Sequence, residues 1–502
     1  MPATGHRDPA QDAVDAGVPS PGRSSTVAVV GAGIAGLTAA RALAAEGARV
    51  TVLEASSSVG GQLDEVEIAG HRVDVGAESV FTAAPGPLEL IEELGLGDRL
   101  VAANEATTWI WTERGLRPLP AGFTPAGPTR LRPVLGARVL SPAGLLRAGL
   151  EPLMPAAGRD EGDIAVGEYL QRRFGREVVD RLVDPLLGGL HAGDVRRLSL
   201  RAATPQLAAL AGRHRSLLLR RRPPARTGPA FVTLADGMAS LPRRLAAALD
   251  DGPVDGGHGA DGGAGGDSGN VEVVLDAPVT GLRRTGARTR VTTADGRDLS
   301  FDAVVLAVPA KRAAGLLEHA SPAAAAALGE LRAASVAVAV LAYPVAAADT
   351  PAIAQGTGML VPSRRGRLLK AATFLSTKWP HHAAATTGQV LVRASAGRAD
   401  DGRASYLDDD ALVERLHAEL CEATGLTLEP TDVVVRRWPA TMPQLEVGHH
   451  DRMERIRGAL ARDLPGATVA GAAYAGPGLS ACLRSADGAA AQIFDHLTER
   501  SR

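Results

Sequence analysis

Three glycines and one acid carry the first recognisable chemistry in this chain. Gly31, Gly33 and Gly36 fill a G-x-G-x-x-G pattern, and Glu54 follows about 20 residues later. The first glycine of such a pattern permits a tight turn and the second lets backbone approach a pyrophosphate. The third lets a helix pack closely on a strand. An acid at that distance accepts hydrogen bonds from an adenosine ribose. Residues with these tasks need a strand before them and a helix after them. Val27 to Val30 is a β-branched apolar run suited to a buried parallel strand, Leu37 to Glu46 reads as an Ala/Leu-rich helix, and Val50 to Leu53 is a second buried strand. The helix N-terminus then offers free N–H groups and the positive end of its dipole to phosphate. On this motif alone the dinucleotide can be NAD or FAD.

Two later stretches extend the site. After Glu54 comes Ala55-Ser-Ser-Ser-Val-Gly60-Gly61, and a loop that also passes close to a cofactor needs such a glycine pair. Near the other end, Thr468 to Ser485 is a short strand and the glycine-rich loop Gly471-Ala-Ala-Tyr474-Ala-Gly476-Pro-Gly478-Leu479, leading into a helix from Ala486 to Leu497. A strand, a glycine loop and a helix N-terminus make a second anion site. One such site can hold pyrophosphate, and the other can stabilise a reduced isoalloxazine. Together they favour FAD over NAD.

Composition narrows the class of protein. A length of 502 residues predicts two or three domains. A net charge of −2 gives no case for nucleic acid or an acidic membrane surface. Cys421 and Cys482 are far apart, which excludes a disulfide framework or a cysteine zinc site and fits a reducing cytosol, hence a cytoplasmic location. No apolar run is long enough to span a membrane, and the N-terminal stretch lacks the apolar core of a signal peptide. Residues 1–24 read as a disordered lead-in, and the Gly/Asp-rich stretch 251–270 as a flexible insertion.

Between the glycine loops the pattern is mixed. Hairpins are expected over Glu67–Gly76, turning at Ala69-Gly70, and over Trp109–Leu119. Asp163 to Leu190 has helical spacing. Phe301 to Pro309 is a buried strand ended by proline, and Ser335–Tyr343, Gly358–Pro362, Ala371–Phe374 and Val433–Trp438 are further strands. Arginines between Pro118 and Pro155 read either as solvated or as a cationic rim for an anionic substrate. His191 alone reads more simply as structural. Lys378, His381 and His382 do not show a metal spacing, and no metal site is expected.

These residues resemble the flavin amine oxidase superfamily, and more narrowly its protoporphyrinogen/coproporphyrinogen oxidase family. The broad resemblance rests on Gly31–Gly36, Glu54, Gly60-Gly61, Asp302–Pro309 and the C-terminal glycine loop. The narrow one rests on Pro185-Leu-Leu-Gly-Gly-Leu-His-Ala-Gly-Asp194 and Ser376-Thr-Lys-Trp-Pro-His. It rests also on Trp438-Pro-Ala-Thr-Met-Pro-Gln444 and Gly471 to Ser485. The resemblance covers Thr26 to Leu497 apart from the insertion. It implies an α/β fold: a discontinuous Rossmann-like FAD-binding domain and a substrate domain of mixed sheet and helices. The expected boundaries are 25–100, 231–310 and 430–500 for the FAD domain, 101–230 for a helical substrate or membrane-type subdomain, and 311–429 for the substrate-binding domain.

The resemblance also implies non-covalent FAD held by Gly31, Gly33, Ile34, Ala35, Gly36, Glu54, Ala55, Gly60, Gly61 and Gln62. Gly76, Ala77, Glu78, Ser79, Val279, Ala307, Trp438, Gly471, Gly478 and Leu479 complete that set. Candidate substrate contacts are Arg130, Arg132, His191, Arg213, Lys378 and Arg393. No catalytic side chain is expected, because the flavin N5 takes the hydride. The implied reaction is oxidation of coproporphyrinogen III to coproporphyrin III, with O2 as acceptor and H2O2 as co-product. Peripheral membrane contact and docking to a ferrochelatase belong to the same set of expectations. The rival readings are oxidation of protoporphyrinogen IX, an amine oxidase or desaturase of the same fold, and a non-catalytic flavin-binding protein. A content of only 3% aromatic residues argues against the aromatic cage of an amine oxidase. Gln62, His191 and Ser480 depart from the residues usual in the family, and Phe81–Pro87 carries no basic residue.

Overall fold

The computed structural model describes residues 25–124, 127–128, 130–155, 162–220, 228–250 and 270–501. The lead-in 1–24 and all of the expected insertion except Asn270 lie outside the described residues.

The strand Thr26–Val30 is the centre of a five-stranded parallel sheet, flanked by Arg49–Leu53 and Ala303–Leu306. Val271–Val274 and Ala467–Val469 form its edges. Val27 and Val29 face the helix Ile34–Ala45, while Ala28 and Val30 pack on the other side with Leu306 and Leu316. The run is therefore covered on both faces, which explains its unbroken apolar character. Each fully buried valine contributes about 2 kcal/mol by area removed from water. The long helix Leu479–Ser501 packs against Ile34–Ala45, so the first and last described helices share one core.

A second, seven-stranded sheet runs in the order Asp432–Pro443, Ala333–Pro344, Gln389–Ala396, Leu369–Phe374, Gly356–Leu360, Thr107–Thr112, Gly115–Pro118. Its pairs are antiparallel except Gly356–Leu360 with Thr107–Thr112. One face packs on the helix Asp409–Thr424 through Leu341, Phe374, Val392 and Leu416. The opposite face carries Val336, Val338, Val340 and Leu391, with Trp379 and Trp438 against them.

This sheet redraws two of the expected boundaries. The hairpin Thr107–Pro118 pairs with Gly356–Leu360 and not with the helical segment around it. The strand Asp432–Pro443 pairs with Ala333–Pro344 and so lies in the seven-stranded sheet, away from the parallel one. The stretch expected as one helix over Asp163–Leu190 is broken. Gly175, at a φ of 90°, ends Val166–Phe174, and the chain then widens into a π-helix over Val179–Gly188. Pro185 lies inside that π-helix, where its missing N–H and its ring both disfavour a regular α-helical turn.

Candidate functional site

A cavity of about 810 Å³ opens between the two sheets. At one end Gly31 turns the chain from strand to helix with φ at 103°, a conformation that disfavours any side chain. A Cβ on Gly36 would lie 1.9 Å from the Gly31 carbonyl oxygen, so glycine there is what lets the helix meet the strand. The second loop is laid against the first: Gly60 N–H donates to Ala32 O at 2.9 Å, and a Cβ on Gly61 would approach the Gly33 Cα to 3.2 Å. Backbone thus meets backbone across the loops, and the unpaired amides of the first helical turn face the cavity.

Glu54 is held in place before any ligand arrives. Its Oε2 accepts from Ala32 N–H at 2.7 Å, and its Oε1 accepts from the Ser56 N–H and hydroxyl at 2.9 and 2.8 Å. A carboxylate offers about four acceptor positions, so one remains for a ribose hydroxyl. At the far end Gly471, with φ at 114°, donates its N–H to Ser485 Oγ and starts the loop that delivers Leu479 and Cys482 to the cavity.

Of the expected cofactor residues, Gly31, Gly33, Ile34, Ala35, Glu54, Ala55, Gly60, Gly61, Gln62, Ala77, Val279, Ala307, Trp438, Gly471 and Leu479 line this cavity. Gly36, Gly76, Glu78, Ser79 and Gly478 do not. Gly76 packs behind the lining, where a Cβ would lie 1.8 Å from Gln62 O. Gly478 is exposed, and its carbonyl accepts from the N–H groups of Ala481 and Cys482 at the start of the last helix. Gln62 reaches across to Thr441, its Nε2 donating to that carbonyl at 3.0 Å.

Glu78 has a different task. It is 8% exposed; Lys378 Nζ donates to its carboxylate, and Arg393 Nη2 forms an ion pair with it at 2.7 Å. Burial acts to raise its pKa, but Arg393 and Lys378 overcome this and hold the carboxyl down at about 2. Arg393 also donates to the carbonyls of Asp74 and Gly76 at 2.9 and 3.2 Å. Beside it burial pushes the Asp74 carboxyl up to about 6, against the N–H of Met238 that it accepts.

The expected substrate contacts do not converge. Arg130, Arg132 and Arg213 are exposed on the helical part of the chain and line no part of the cavity. Lys378 and Arg393 meet on Glu78. His191 is 4% exposed, and burial holds its imidazole down at about 4, neutral at physiological pH. Its carbonyl accepts from Gln444 Nε2 at 2.8 Å, and Gln444 does line the cavity. Gln444, Thr441, Arg312 and Arg332 are lining residues that the sequence did not single out. Their only signal was position, Arg312 just beyond the strand-ending Pro309, and Thr441 and Gln444 within the Trp438–Gln444 stretch.

Among the described residues the lining contains no His or Tyr, and no group of side chains is fit to hold a metal. Its cysteine, Cys482, is 7% exposed, and burial pushes its thiol up to about 11, so it stays protonated. What the cavity offers is an extended, backbone-lined cradle with a ribose-type acceptor at one end and two sheets meeting at the other. A dinucleotide fits that donor set, with the nonpolar remainder suited to a flat ring.

Comparison with known proteins agrees with this geometry. A coproporphyrinogen III oxidase of Bacillus subtilis is 30% identical, over 94% of this chain and 98% of its own length. A protoporphyrinogen oxidase of Bos taurus is 28% identical, over 93% of this chain and 98% of its own. The crystal structure of a protein assigned as a protoporphyrinogen oxidase of Exiguobacterium superposes with a TM-score of 0.81 at 30% identity, covering 94% of this chain and 99% of that one. Among the described residues no helix is long and apolar enough to cross a membrane. With the family model for flavin containing amine oxidoreductases matching residues 34–494, the chain belongs to that family.

Proposed function

We propose that this protein holds FAD non-covalently and oxidises coproporphyrinogen III to coproporphyrin III in the cytoplasm, O2 accepting the electrons and leaving as H2O2. The observation that carries the reading is a cavity built from two glycine loops whose lining provides no histidine, tyrosine or metal-binding group, in a chain similar over nearly its whole length to porphyrinogen oxidases. Such a site positions a reaction and leaves the electron transfer to its cofactor.

Gly31, Gly33 and the first turn of Ile34–Ala45 would hold the pyrophosphate, and Glu54 the ribose. Trp438, Gln62, Thr441 and Gln444 would border the ring system where the seven-stranded sheet meets it. The protonated Cys482 and the lack of His or Tyr in the lining support a non-covalent link. When bound, FAD supplies a hydride acceptor for the carbon centres of the substrate. Three two-electron oxidations would remove six hydrogens in all, four from the meso carbons and two from pyrrole nitrogens: three carbon-bound hydrogens would leave as hydride, and the fourth and the two N–H hydrogens as protons to water. The protein's part is to orient the macrocycle and exclude competing water.

An aerobic peroxide assay on the flavin-loaded protein tests this, with coproporphyrinogen III, protoporphyrinogen IX and simple amines as substrates. Peroxide from coproporphyrinogen III at the highest kcat/KM supports the proposal. Preference for protoporphyrinogen IX, as the name of the bovine relative suggests, would move the substrate. Turnover of amines alone, or flavin left unbleached by anaerobic coproporphyrinogen III, would overturn it.

A further inference from the structure

Two cations on the wall of the cavity lack a counter-charge. Among the described residues the lining carries four charged side chains, Glu54, Lys311, Arg312 and Arg332. Glu54 is taken up by the amides of Ala32 and Ser56, and Arg332 by the carboxylates of Glu446 and Asp400 at 2.8 and 2.7 Å. Among the described residues Lys311 makes no hydrogen bond or ion pair, and Arg312 reaches only the Val279 carbonyl, its Nη2 donating at 3.4 Å. Both are exposed at the rim, so they keep their charge without a desolvation cost. Gln62, on the glycine loop, adds no charge to the wall.

Their place follows from the parallel sheet. Thr26–Val30 and Ala303–Leu306 are neighbours, with Val30 and Leu306 in register. After Val30 the chain enters the helix Ile34–Ala45 on one face, where Leu37 and Ala40 are buried. After Leu306 it enters the helix Ala310–Leu317 on the other face, where Ala313 and Leu317 pack with Ala28 and Val30. Helices that leave neighbouring strand ends on opposite faces open a crevice between them, and the ligands of such sheets bind there. The two turns touch, since a Cβ on Gly31 would lie 2.7 Å from Ala307 O. Lys311 and Arg312 thus stand across the crevice from the Gly31–Gly36 turn. Val279, which Arg312 reaches, closely follows Ala277, whose N–H donates to Glu54 O at 2.7 Å. The two cations therefore border the ribose end of the site. A dinucleotide with its ribose on Glu54 and its diphosphate on the Gly31 turn brings two negative charges into this crevice, whose wall holds two positive ones.

We propose that Lys311 and Arg312 supply the counter-charge for the diphosphate of the cofactor, drawing it into the crevice and holding it from the face of the sheet opposite Ile34–Ala45. The inference rests on the FAD binding proposed above. The glycine loops then fix the shape of the site, and the helix Ala310–Leu317 its charge.

Titration of the apoprotein with FAD, read by quenching of flavin fluorescence, tests this at about 0.01 M and about 1 M salt, between which the screening length falls from about 30 Å to about 3 Å. Lys311→Gln and Arg312→Gln are each expected to weaken FAD about threefold at the lower salt, and the double variant about tenfold, the scale of exposed charges. At the higher salt they should match wild type. Lys311→Arg should bind as wild type does at both. ADP and adenosine, as competitors of FAD uptake, separate charge from shape: at the lower salt the double variant should lose ADP about tenfold and keep adenosine within about twofold. A double variant that binds FAD as wild type does at low salt, a loss that persists at high salt, or equal losses of ADP and adenosine would overturn the proposal. A wild type that takes up FAD while the variants match it overturns the charged flank alone. A wild type that takes up no FAD overturns the function beneath it.

Discussion

Glu78 ties the segment after the hairpin Glu65–Asp74 to the seven-stranded sheet electrostatically, and its neutralisation has a calculable cost. The carboxylate comes from the segment that follows the hairpin Glu65–Asp74, whereas Lys378 and Arg393 belong to the seven-stranded sheet and the loop beyond it. Its pKa, held at about 2 instead of 4.5, corresponds to roughly 3 kcal/mol favouring the charged form in the folded state. Glu78→Gln removes that contribution and leaves two half-buried cations facing an amide, toward the lower end of the roughly 3–5 kcal/mol found when one partner of a buried pair is deleted. Guanidinium unfolding at neutral pH, followed by circular dichroism, should show a loss of about 3 kcal/mol. Adding Lys378→Met to Glu78→Gln should recover part of it, because an unpaired charge is then removed. The pH dependence has a definite sign. A carboxyl with a depressed pKa stabilises fully above about 4.5, and this contribution is lost as pH falls from there through about 2. The difference between wild type and Glu78→Gln should therefore shrink on acidification below 4.5. A cost under about 1 kcal/mol, or a double variant no better than the sum of the singles, would refute the reasoning.

Three further outcomes are expected. Asp74 has the opposite sign: raised to about 6 from 3.8, it disfavours the fold when ionised, so Asp74→Asn should gain stability relative to wild type as pH rises from about 4 to above 6 in thermal melts. Gly36→Ala places a methyl 1.9 Å from a backbone oxygen that cannot rotate away, and the purified protein should lose most of its flavin absorbance per chain while retaining its circular dichroism. Glu54→Gln keeps the side-chain length but removes the charged ribose acceptor, and FAD affinity by titration of the apoprotein should fall about tenfold while FMN affinity stays level.

The local signals in the chain were read at full strength by the sequence. Gly31 to Glu54 is a contiguous strand, turn, helix and strand, and the hairpin turning at Ala69-Gly70 closes between immediate neighbours. Long-range pairing was less legible. Nothing in Thr107–Thr112 announces that its partner is Gly356–Leu360, and nothing in Asp432–Pro443 points to Ala333–Pro344, so both were attached to the wrong layer. Gln389–Ala396, the strand that carries Arg393, is bounded by Gly388 and Gly397, but its run of Val390, Leu391 and Val392 blurs the alternation that marks a half-buried strand. Glu78 was read as a cofactor residue for the same reason: its two cationic partners lie some 300 positions away. A charged side chain advertises its type in the sequence, but its counter-charge is chosen by the fold.

The sharing of one core by the first and last described helices has a consequence for synthesis. Ala303–Leu306 pairs with Thr26–Val30 on one side, but its other edge is covered only when Ala467–Val469 has been made, and one flank of Ile34–Ala45 waits for Leu479–Ser501. Until the ribosome has passed those residues, one edge of the parallel sheet and an apolar helix flank stand open to other chains. Cofactor loading is then a step that follows translation. A nascent chain that stalls before residue 467 is a candidate for chaperone capture, and not a partly active enzyme.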